Sequence, residues 1–133
     1  MAESGEEGLL RANHAFYDAF DARDIEAMDE LWAHHTPVAC VHPGWPPLHG
    51  RGAVMSSWRE ILLGGASPRV RFERAQAVLL GAAGFVTCLE HLEVGTLVAT
   101  NTFSLEDGVW QIVHHQAGPL GDDDAPSDPN SLN

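Results

Sequence analysis

The chain contains 133 residues with a formal charge of −12 at pH 7, and all seven of its basic residues are arginines. This length is typical of one domain with a single hydrophobic core. The absence of lysine excludes Schiff-base chemistry, and the acidic balance argues against nucleic acid as a partner.

Composition also bears on location and domain limits. No apolar run approaches the roughly 20 residues of a membrane-spanning helix, and the acidic N-terminus lacks the apolar core of a signal peptide. We therefore expect a cytoplasmic protein with no membrane partner. Residues 1–8 form a polar leader, residues 9–119 one folded domain, and residues 120–133 an acidic tail. Cys40 and Cys88 lie in apolar segments, where free buried thiols are expected rather than a disulfide.

Three helices are predicted in the first half of the chain. Apolar residues recur at helical spacing over residues 9–21. A second helix begins after Asp24, a residue type that caps helix N-termini, and it stops before Pro37. A third helix spans about residues 54–62 and ends at Gly64-Gly65, because glycine commonly terminates helices.

Strands dominate the second half. A short apolar strand at residues 38–41 runs into a loop that begins with His42-Pro43-Gly44. After Gly65 the apolar period changes from 3.6 to 2, which predicts strands at about residues 70–80, 85–94, 97–105 and 109–117. Short turns between them favour antiparallel hairpins. We expect an α+β domain in which three N-terminal helices pack on a strongly curved antiparallel sheet and enclose a cone-shaped pocket.

The alternation of side chains along strands decides which polar groups can meet. His42 shares a strand face with Cys40. Pairing residue 93 with residue 96 across the turn at Gly95 places Glu90 and Asn101 on one face. His114 and His115 must point to opposite faces. A three-residue turn at residues 106–108 selects His115 for the pocket, whereas a two-residue turn selects His114.

These faces define a candidate site. The expected catalytic residues are His42, Glu90, Asn101 and His115, and the expected substrate-binding walls are Tyr17, Trp32, Trp45, Trp58 and Phe103. A carboxylate among apolar walls has a raised pKa and can serve as a base, an imidazole titrates near neutrality, and an amide can donate to an oxyanion. The alternatives are that Glu90 pairs with Arg51 or Arg74, and that the tryptophans form ordinary core.

A metal ion or a reactive thiol is a further alternative for this site. His42, His115 and Glu90 match the two-histidine, one-carboxylate ligand set of non-haem iron. The spacing follows no known metal motif, so we expect neither a metal nor a cofactor. Cys40 shares a strand face with His42, but nothing in the sequence indicates an activated thiol.

Three motifs together resemble the nuclear transport factor 2-like superfamily, and its SnoaL-like branch in particular. They are V-x-x-x-H-P-G-W at residues 38–45, G-R-G-x-V-x-x-S-W at residues 50–58, and A-T-N-T-F-S-L-E-D-G-V-W-Q-I-V-H-H at residues 99–115. The resemblance spans about residues 9–119. It implies a cone-shaped α+β fold, a cavity between helices and sheet, and a homodimer formed through the outer sheet face.

Two branches of that superfamily suggest roles for particular positions. In ketosteroid isomerases the base is an aspartate before a proline at the end of the first strand, and His42 stands at the similar place here. Their oxyanion-hole tyrosine and aspartate correspond to Phe16 and Asn101, so the residue types argue against steroid isomerisation. In the association domain of calcium/calmodulin-dependent kinase II, the positions that correspond to Asn101, His115 and Ala117 face the pocket. This resemblance favours His115 over His114 as the inward residue.

The functional expectation is a SnoaL-like protein that binds a small apolar ligand. It would catalyse a cofactor-free proton transfer such as isomerisation, cyclisation or dehydration, with His42 and Glu90 as base or acid and Asn101 and His115 orienting an oxygen. A non-enzymatic module for ligand binding or oligomerisation is the alternative.

Overall fold

The computed structural model describes residues 5–65 and 67–121. The predicted acidic tail lies outside the described residues except at 120 and 121, and the predicted leader is described only from Gly5 onward. Within these residues there are three helices: α1 (Glu6–Ala22), α2 (Ile25–Leu31) and α3 (Arg51–Leu63). The strands are β1 (Ala39–Val41), β2 (Leu48–His49), β3 (Arg71–Leu80), β4 (Ala83–Leu92), β5 (Gly95–Glu106) and β6 (Val109–Pro119).

The predicted α+β architecture is confirmed: three helices pack on one sheet, whose order is β2-β1-β6-β5-β4-β3. Strands β3 to β6 form the expected antiparallel meander. The sheet as a whole is mixed, because β1 runs parallel to β6. Strand β2 was not predicted, since two residues paired antiparallel with β1 are too short to produce a periodic pattern.

The junction between α1 and α2 follows from two residues. Arg23 ends α1 in the left-handed conformation, with φ at 57°, and its backbone N–H donates to carbonyls of the last turn. Asp24 then caps α2, because its side chain accepts a hydrogen bond from the N–H of Ala27 at 3.1 Å. The predicted cap is therefore present, and the two helices form a tight pair.

Arg51, at the start of α3, completes the C-terminal end of α2. Its guanidinium donates to the carbonyls of Asp29 at 2.7 Å, Trp32 at 2.8 Å and Ala33 at 3.2 Å. Carbonyls at the end of a helix have no partner within that helix, so these bonds satisfy groups that would otherwise stay unpaired. Arg51 thus serves the helix end and does not pair with Glu90.

Glu106, at the end of β5, holds the segment between α2 and β1. Its carboxylate accepts hydrogen bonds from the backbone N–H groups of His34, His35 and Thr36, and from the Thr36 hydroxyl, at 2.8–3.1 Å. Partial burial raises the pKa of Glu106, but the hydrogen bonds from Thr36 and the backbone outweigh it and bring the pKa to about 2. The loop before β1, and so the entry of β1 into the sheet, is fixed by a charged group.

Candidate functional site

The inner face of β4 carries the carboxyl group of the site. The turn after β4 pairs Leu92 with Gly95, so Glu90 lies opposite Leu97 and Cys88 lies opposite Ala99. This register differs by two residues from the predicted one. Because side chains alternate with a period of two, a shift of two residues leaves every side chain on the predicted face. Glu90 accordingly points under the helices, where only 2% of its surface is exposed.

His115 reaches the same face through a β-bulge. The β5–β6 turn has two residues, Asp107 and Gly108, with φ of 53° and 79°. That turn alone would have directed His114 inward. The register shifts between Thr102 and Phe103, which adds one residue to β6 and sets His115 opposite Asn101. The inward residue is His115, as the family resemblance favoured, although a two-residue turn by itself favours His114.

His42 is placed by the end of β1 and a β-turn. Parallel pairing sets Cys40 beside His115, so His42 follows on the same buried face two residues later. The N–H of Trp45 donates to the carbonyl of His42 at 2.9 Å, and Gly44 has φ of 83°. Proline at the second and glycine at the third position of this turn suit its geometry. The turn folds the Trp45 ring edge-on against His42, with centroids 5.0 Å apart.

Three polar side chains line one cavity of about 160 Å³: His42, Glu90 and His115. The rest of the lining is apolar and consists of Phe20, Pro43, Trp45, Ile61, Pro68, Leu92 and Leu97. The two imidazole rings lie 6.2 Å apart between centroids. Sequence reasoning had grouped these three residues, and the fold brings them together. Pro43 is exposed and Trp45 half-buried, whereas the three polar groups are buried, so the loop lies nearer the solvent.

A hydrogen-bond chain behind the cavity connects Glu90 to His115. The Tyr17 hydroxyl donates to Oε2 of Glu90 at 2.5 Å and accepts from Nδ2 of Asn101 at 3.1 Å. Asn101 also donates from Nδ2 to Asn13 at 2.8 Å. Its remaining oxygen lies 2.6 Å from Nδ1 of His115. Both amide hydrogens of Asn101 are therefore used inside the protein, and its oxygen must accept.

These contacts fix the proton positions on both imidazoles. Because Asn101 presents an acceptor to His115, the Nδ1 of His115 carries the hydrogen and its Nε2 carries a lone pair. The Ser57 hydroxyl donates to the carbonyl of Val54 at 2.6 Å, so its oxygen accepts from Nε2 of His42 at 2.8 Å. His42 then keeps its lone pair on Nδ1, from which the Cys40 sulfur is 3.9 Å away.

Burial sets the charge of each group. Desolvation lowers the pKa of His42 to about 4 and the pKa of His115 to about 3, so both rings are neutral near pH 7. Desolvation raises the pKa of Glu90, and the hydrogen bond from Tyr17 offsets part of that rise. Desolvation and the nearby Glu90 also raise the pKa of Tyr17, which stays a hydrogen-bond donor. The site holds one basic carboxyl group and two uncharged imidazoles.

The aromatic walls divide into lining and core. Trp45 lines the cavity. Tyr17 does not line it but donates a hydrogen bond to the lining residue Glu90. Trp58 lies behind His42, with ring centroids 4.9 Å apart. Trp32 and Phe103 are buried core residues and do not line the cavity, so their predicted binding role is not supported by position.

Two polar residues of the site escaped the sequence reasoning. Asn13 lies on the buried stripe of α1, and Ser57 lies on the buried stripe of α3 beside Trp58. A polar residue within an otherwise apolar helical stripe is the signal that could have revealed both, because a buried polar group needs a hydrogen-bond partner.

The geometry gives little support to a metal site or to a reactive thiol. Within residues 5–65 and 67–121, no group of three or more histidine, cysteine or acidic side chains is arranged to hold a metal ion. Cys40 and Cys88 are both free and buried. Burial, with a smaller contribution from Glu90, raises the pKa of the Cys40 thiol to about 12, so Cys40 is not an activated nucleophile.

Comparison with known proteins agrees with this fold. The sequence model of the SnoaL-like domain family matches residues 9–120. The chain belongs to the SnoaL-like domain family. In a solved structure, a proposed dehydratase of the NTF2-like family from Streptomyces avermitilis is 32% identical, with a TM-score of 0.79 over 86% of this SnoaL-like chain and 95% of that one.

Two further relatives show how varied the family is. A proposed calcium/calmodulin-dependent protein kinase type II association domain from Thiobacillus denitrificans is 34% identical, with a TM-score of 0.72 over 82% of this chain and 92% of that one. The F-box protein SKIP8 of Arabidopsis thaliana is 25% identical over 118 residues, which are 87% of this chain. This SnoaL-like chain spans about half (51%) of that relative's length. None of the helices in the described part of the chain has the length and apolar character to span a membrane.

Proposed function

We propose that this SnoaL-like protein binds a small molecule in the cavity and catalyses a cofactor-free proton transfer there, namely the dehydration of a β-hydroxy carbonyl compound. The observation that carries the proposal is that one carboxyl group and two neutral imidazoles, Glu90, His42 and His115, line the same small apolar-walled cavity. The similarity to the proposed dehydratase from Streptomyces avermitilis favours dehydration over isomerisation or cyclisation.

In this mechanism Glu90 carries the proton. As a carboxylate, its Oε1 takes the proton from the carbon next to the substrate carbonyl, and the electron pair left behind expels the hydroxyl group of the neighbouring carbon. Glu90 returns the same proton to that departing oxygen, which leaves as water while the carbon–carbon double bond forms. The carboxylate is regenerated, so no external acid or oxidant is consumed.

The other residues of the site hold this reaction in place. The Nε2 lone pair of His115 accepts the hydrogen bond of the substrate hydroxyl and orients it, and His42 lines the cavity beside it. Tyr17 and Asn101 are positioning residues: Tyr17 occupies Oε2 of Glu90, which leaves Oε1 free, and Asn101 sets the tautomer of His115. This positioning role takes the place of the oxyanion role expected for Asn101, because both its amide hydrogens have partners in the protein.

The pH dependence follows from Glu90. Burial raises its pKa, which makes its carboxylate a stronger base than an exposed one. The base form is needed first, so kcat/KM rises with pH as Glu90 ionises. We expect the midpoint of this acid limb above the ordinary range of glutamate carboxyl groups.

The test uses 4-hydroxybutan-2-one, followed by NMR for formation of the enone. The wild type is expected to exceed the buffer rate, and Glu90→Gln to lose about 10²- to 10⁴-fold of that excess. His49→Gln, at an exposed histidine away from the cavity lining, is the control and keeps the wild-type rate. Wild-type enone formation at the buffer rate, or full activity in a folded Glu90→Gln variant, contradicts the mechanism.

A second proposal concerns assembly. We propose a homodimer formed through the outer sheet face, where Val78, Phe85, Leu89 and Val98 alternate with the buried inner residues. Val78 and Val98 are 41% and 44% exposed, and the similarity to the Thiobacillus denitrificans association domain favours an assembly role for the fold. Light scattering after size-exclusion chromatography should give a dimer for wild type and a monomer for Val98→Glu; a monomeric wild type contradicts it.

The location we propose is the cytoplasm. Two free buried thiols suit a reducing compartment, because disulfides persist mainly in oxidising ones. Fluorescence microscopy of a tagged full-length protein tests this, and a protein recovered only outside the cytoplasm contradicts it.

A further inference from the structure

The size of the cavity limits what can enter it. Its volume is about 160 Å³, and an engineered cavity of about 150 Å³ in another protein accommodates benzene. One six-membered ring, or an open chain of similar volume, therefore fits beside Glu90 and the two imidazoles. A fused multi-ring ligand such as a steroid would have to extend out of the cavity past the exposed Pro43.

The polar atoms of the lining mostly accept hydrogen bonds. His115 keeps a lone pair on Nε2 because its Nδ1 hydrogen is held by Asn101. His42 keeps a lone pair on Nδ1, with the Cys40 sulfur 3.9 Å away, because its Nε2 hydrogen is held by Ser57. Glu90 has Oε1 available, since Oε2 receives the Tyr17 hydroxyl. Apart from the Trp45 indole, no lining side chain offers an N–H that is not already used.

The cavity also lacks a positive charge. None of its lining residues is an arginine. Three arginines beside the neighbouring helices bind other groups, and Arg23 among them donates to the carbonyl of Ser67 at 2.9 Å. Arg51 binds the carbonyls that end α2, and Arg69 pairs with Asp21 at 2.9 Å. A buried anion without a paired cation is strongly disfavoured. An anionic ligand would meet three acceptors and no counter-charge.

We infer that the cavity selects small uncharged molecules that carry a hydroxyl group and rejects carboxylates of similar size, with Glu90 setting this preference. The inference deepens the proposed function, since it concerns the same cavity and names its substrate class. Buried polar acceptors left unpaired are costly, so a ligand that supplies a hydrogen gains affinity over an apolar ligand of the same shape. The neutrality of both imidazoles removes the remaining source of attraction for an anion.

Three single-ring probes separate the two parts of this claim: toluene matches phenol in size, and benzoate adds a charged group that is slightly larger. Phenol, toluene and benzoate are titrated into the full-length protein near pH 7.5 by isothermal calorimetry, with tryptophan fluorescence as a second readout. Phenol is expected to bind at least tenfold more tightly than toluene and than benzoate. Equal binding of phenol and toluene overturns the hydroxyl requirement. Benzoate binding as tightly as phenol overturns the charge selection, and no phenol binding overturns both.

A pair of matched variants assigns the preference to Glu90. Glu90→Gln keeps the side-chain size and adds an N–H donor, so the phenol-to-benzoate affinity ratio should fall by about tenfold. Glu73→Gln makes the same change at a glutamate paired with His91 on the outer face, and it should leave the ratio unchanged. An unchanged ratio in Glu90→Gln refutes the assignment.

The binding experiment and the turnover experiment fail independently. Selective phenol binding without enone formation leaves the ligand class intact and removes the dehydration mechanism. Turnover of a hydroxy ketone combined with tight benzoate binding removes the selectivity and leaves the mechanism.

Discussion

Acidification is expected to destabilise the protein through His115. Burial holds the folded-state pKa of this ring at about 3, against 6.5 for a solvated imidazole. A lowered histidine pKa means that folding favours the neutral form, so the contribution is present above 6.5 and is lost as pH falls from 6.5 toward 3. The network behind the cavity therefore loses stability in mild acid.

The loss of unfolding free energy at about pH 5 depends mainly on the pKa of His115 in the unfolded chain. Each pH unit between the two pKa values costs about 1.36 kcal/mol, so an approximately 1.5-unit fall below 6.5 costs about 2 kcal/mol. The folded pKa of about 3 lies well below this pH, so its exact value hardly changes the result. Glu90 acts in the opposite sense, because a raised carboxyl pKa adds stability as pH falls. A comparison between variants removes that contribution.

The assay is urea denaturation at about pH 7.5 and about pH 5 for wild type, His115→Gln and the exposed-site control His49→Gln. The wild type and the control should lose about 2 kcal/mol more than His115→Gln between the two pH values. The same loss in all three proteins would refute the reasoning, because His115 would then titrate alike in the folded and unfolded states.

Three further outcomes test the framework that holds the site. Arg51→Met should lower the free energy of unfolding by about 2–3 kcal/mol in urea, because three carbonyls at and just after the end of α2 lose their guanidinium donor. The exposed Arg59→Met should have little effect. Glu106→Gln should lower the free energy of unfolding by about 1–2 kcal/mol after allowance for the exposure of Glu106. This difference from wild type should vanish as pH falls through about 2, because the wild-type carboxylate is then protonated as well. Gly84→Ala should lower the thermal midpoint at a cost of about 1–3 kcal/mol, because its Cβ would lie 2.6 Å from a side chain of α1 and 2.8 Å from a β3 carbonyl, whereas Gly118→Ala has nothing within 4 Å and should be neutral.

The fold could be predicted because its signals are local and long. The change of period after residue 65, the cap at Asp24 and the glycine end of α3 each reflect a physical preference of a few consecutive residues. The parallel pairing of β1 with β6 joins segments some 75 residues apart (Ala39 with His114), and no local pattern encodes it. Two-residue β2 leaves no periodic trace.

The sequence was enough to predict which residues line the site, but not what each of them does there. Alternation along β4 was enough to bring Glu90 inward even with the wrong register, since an even shift preserves the face. The bulge in β6 was not predictable from spacing, and only the family resemblance favoured His115. The role of Asn101 depends on partners from another element, above all Asn13, and these appear only once α1 is packed on the sheet.

The most direct test of the site is NMR of the two imidazoles in ¹⁵N-labelled protein, with and without phenol, near pH 7. The hydrogen-bond pattern predicts neutral rings that carry hydrogen on Nδ1 of His115 and on Nε2 of His42. Added phenol should shift the two bare nitrogens. Charged rings, the opposite tautomers, or bare nitrogens that ignore a bound ligand would contradict a shared cavity lined by acceptors.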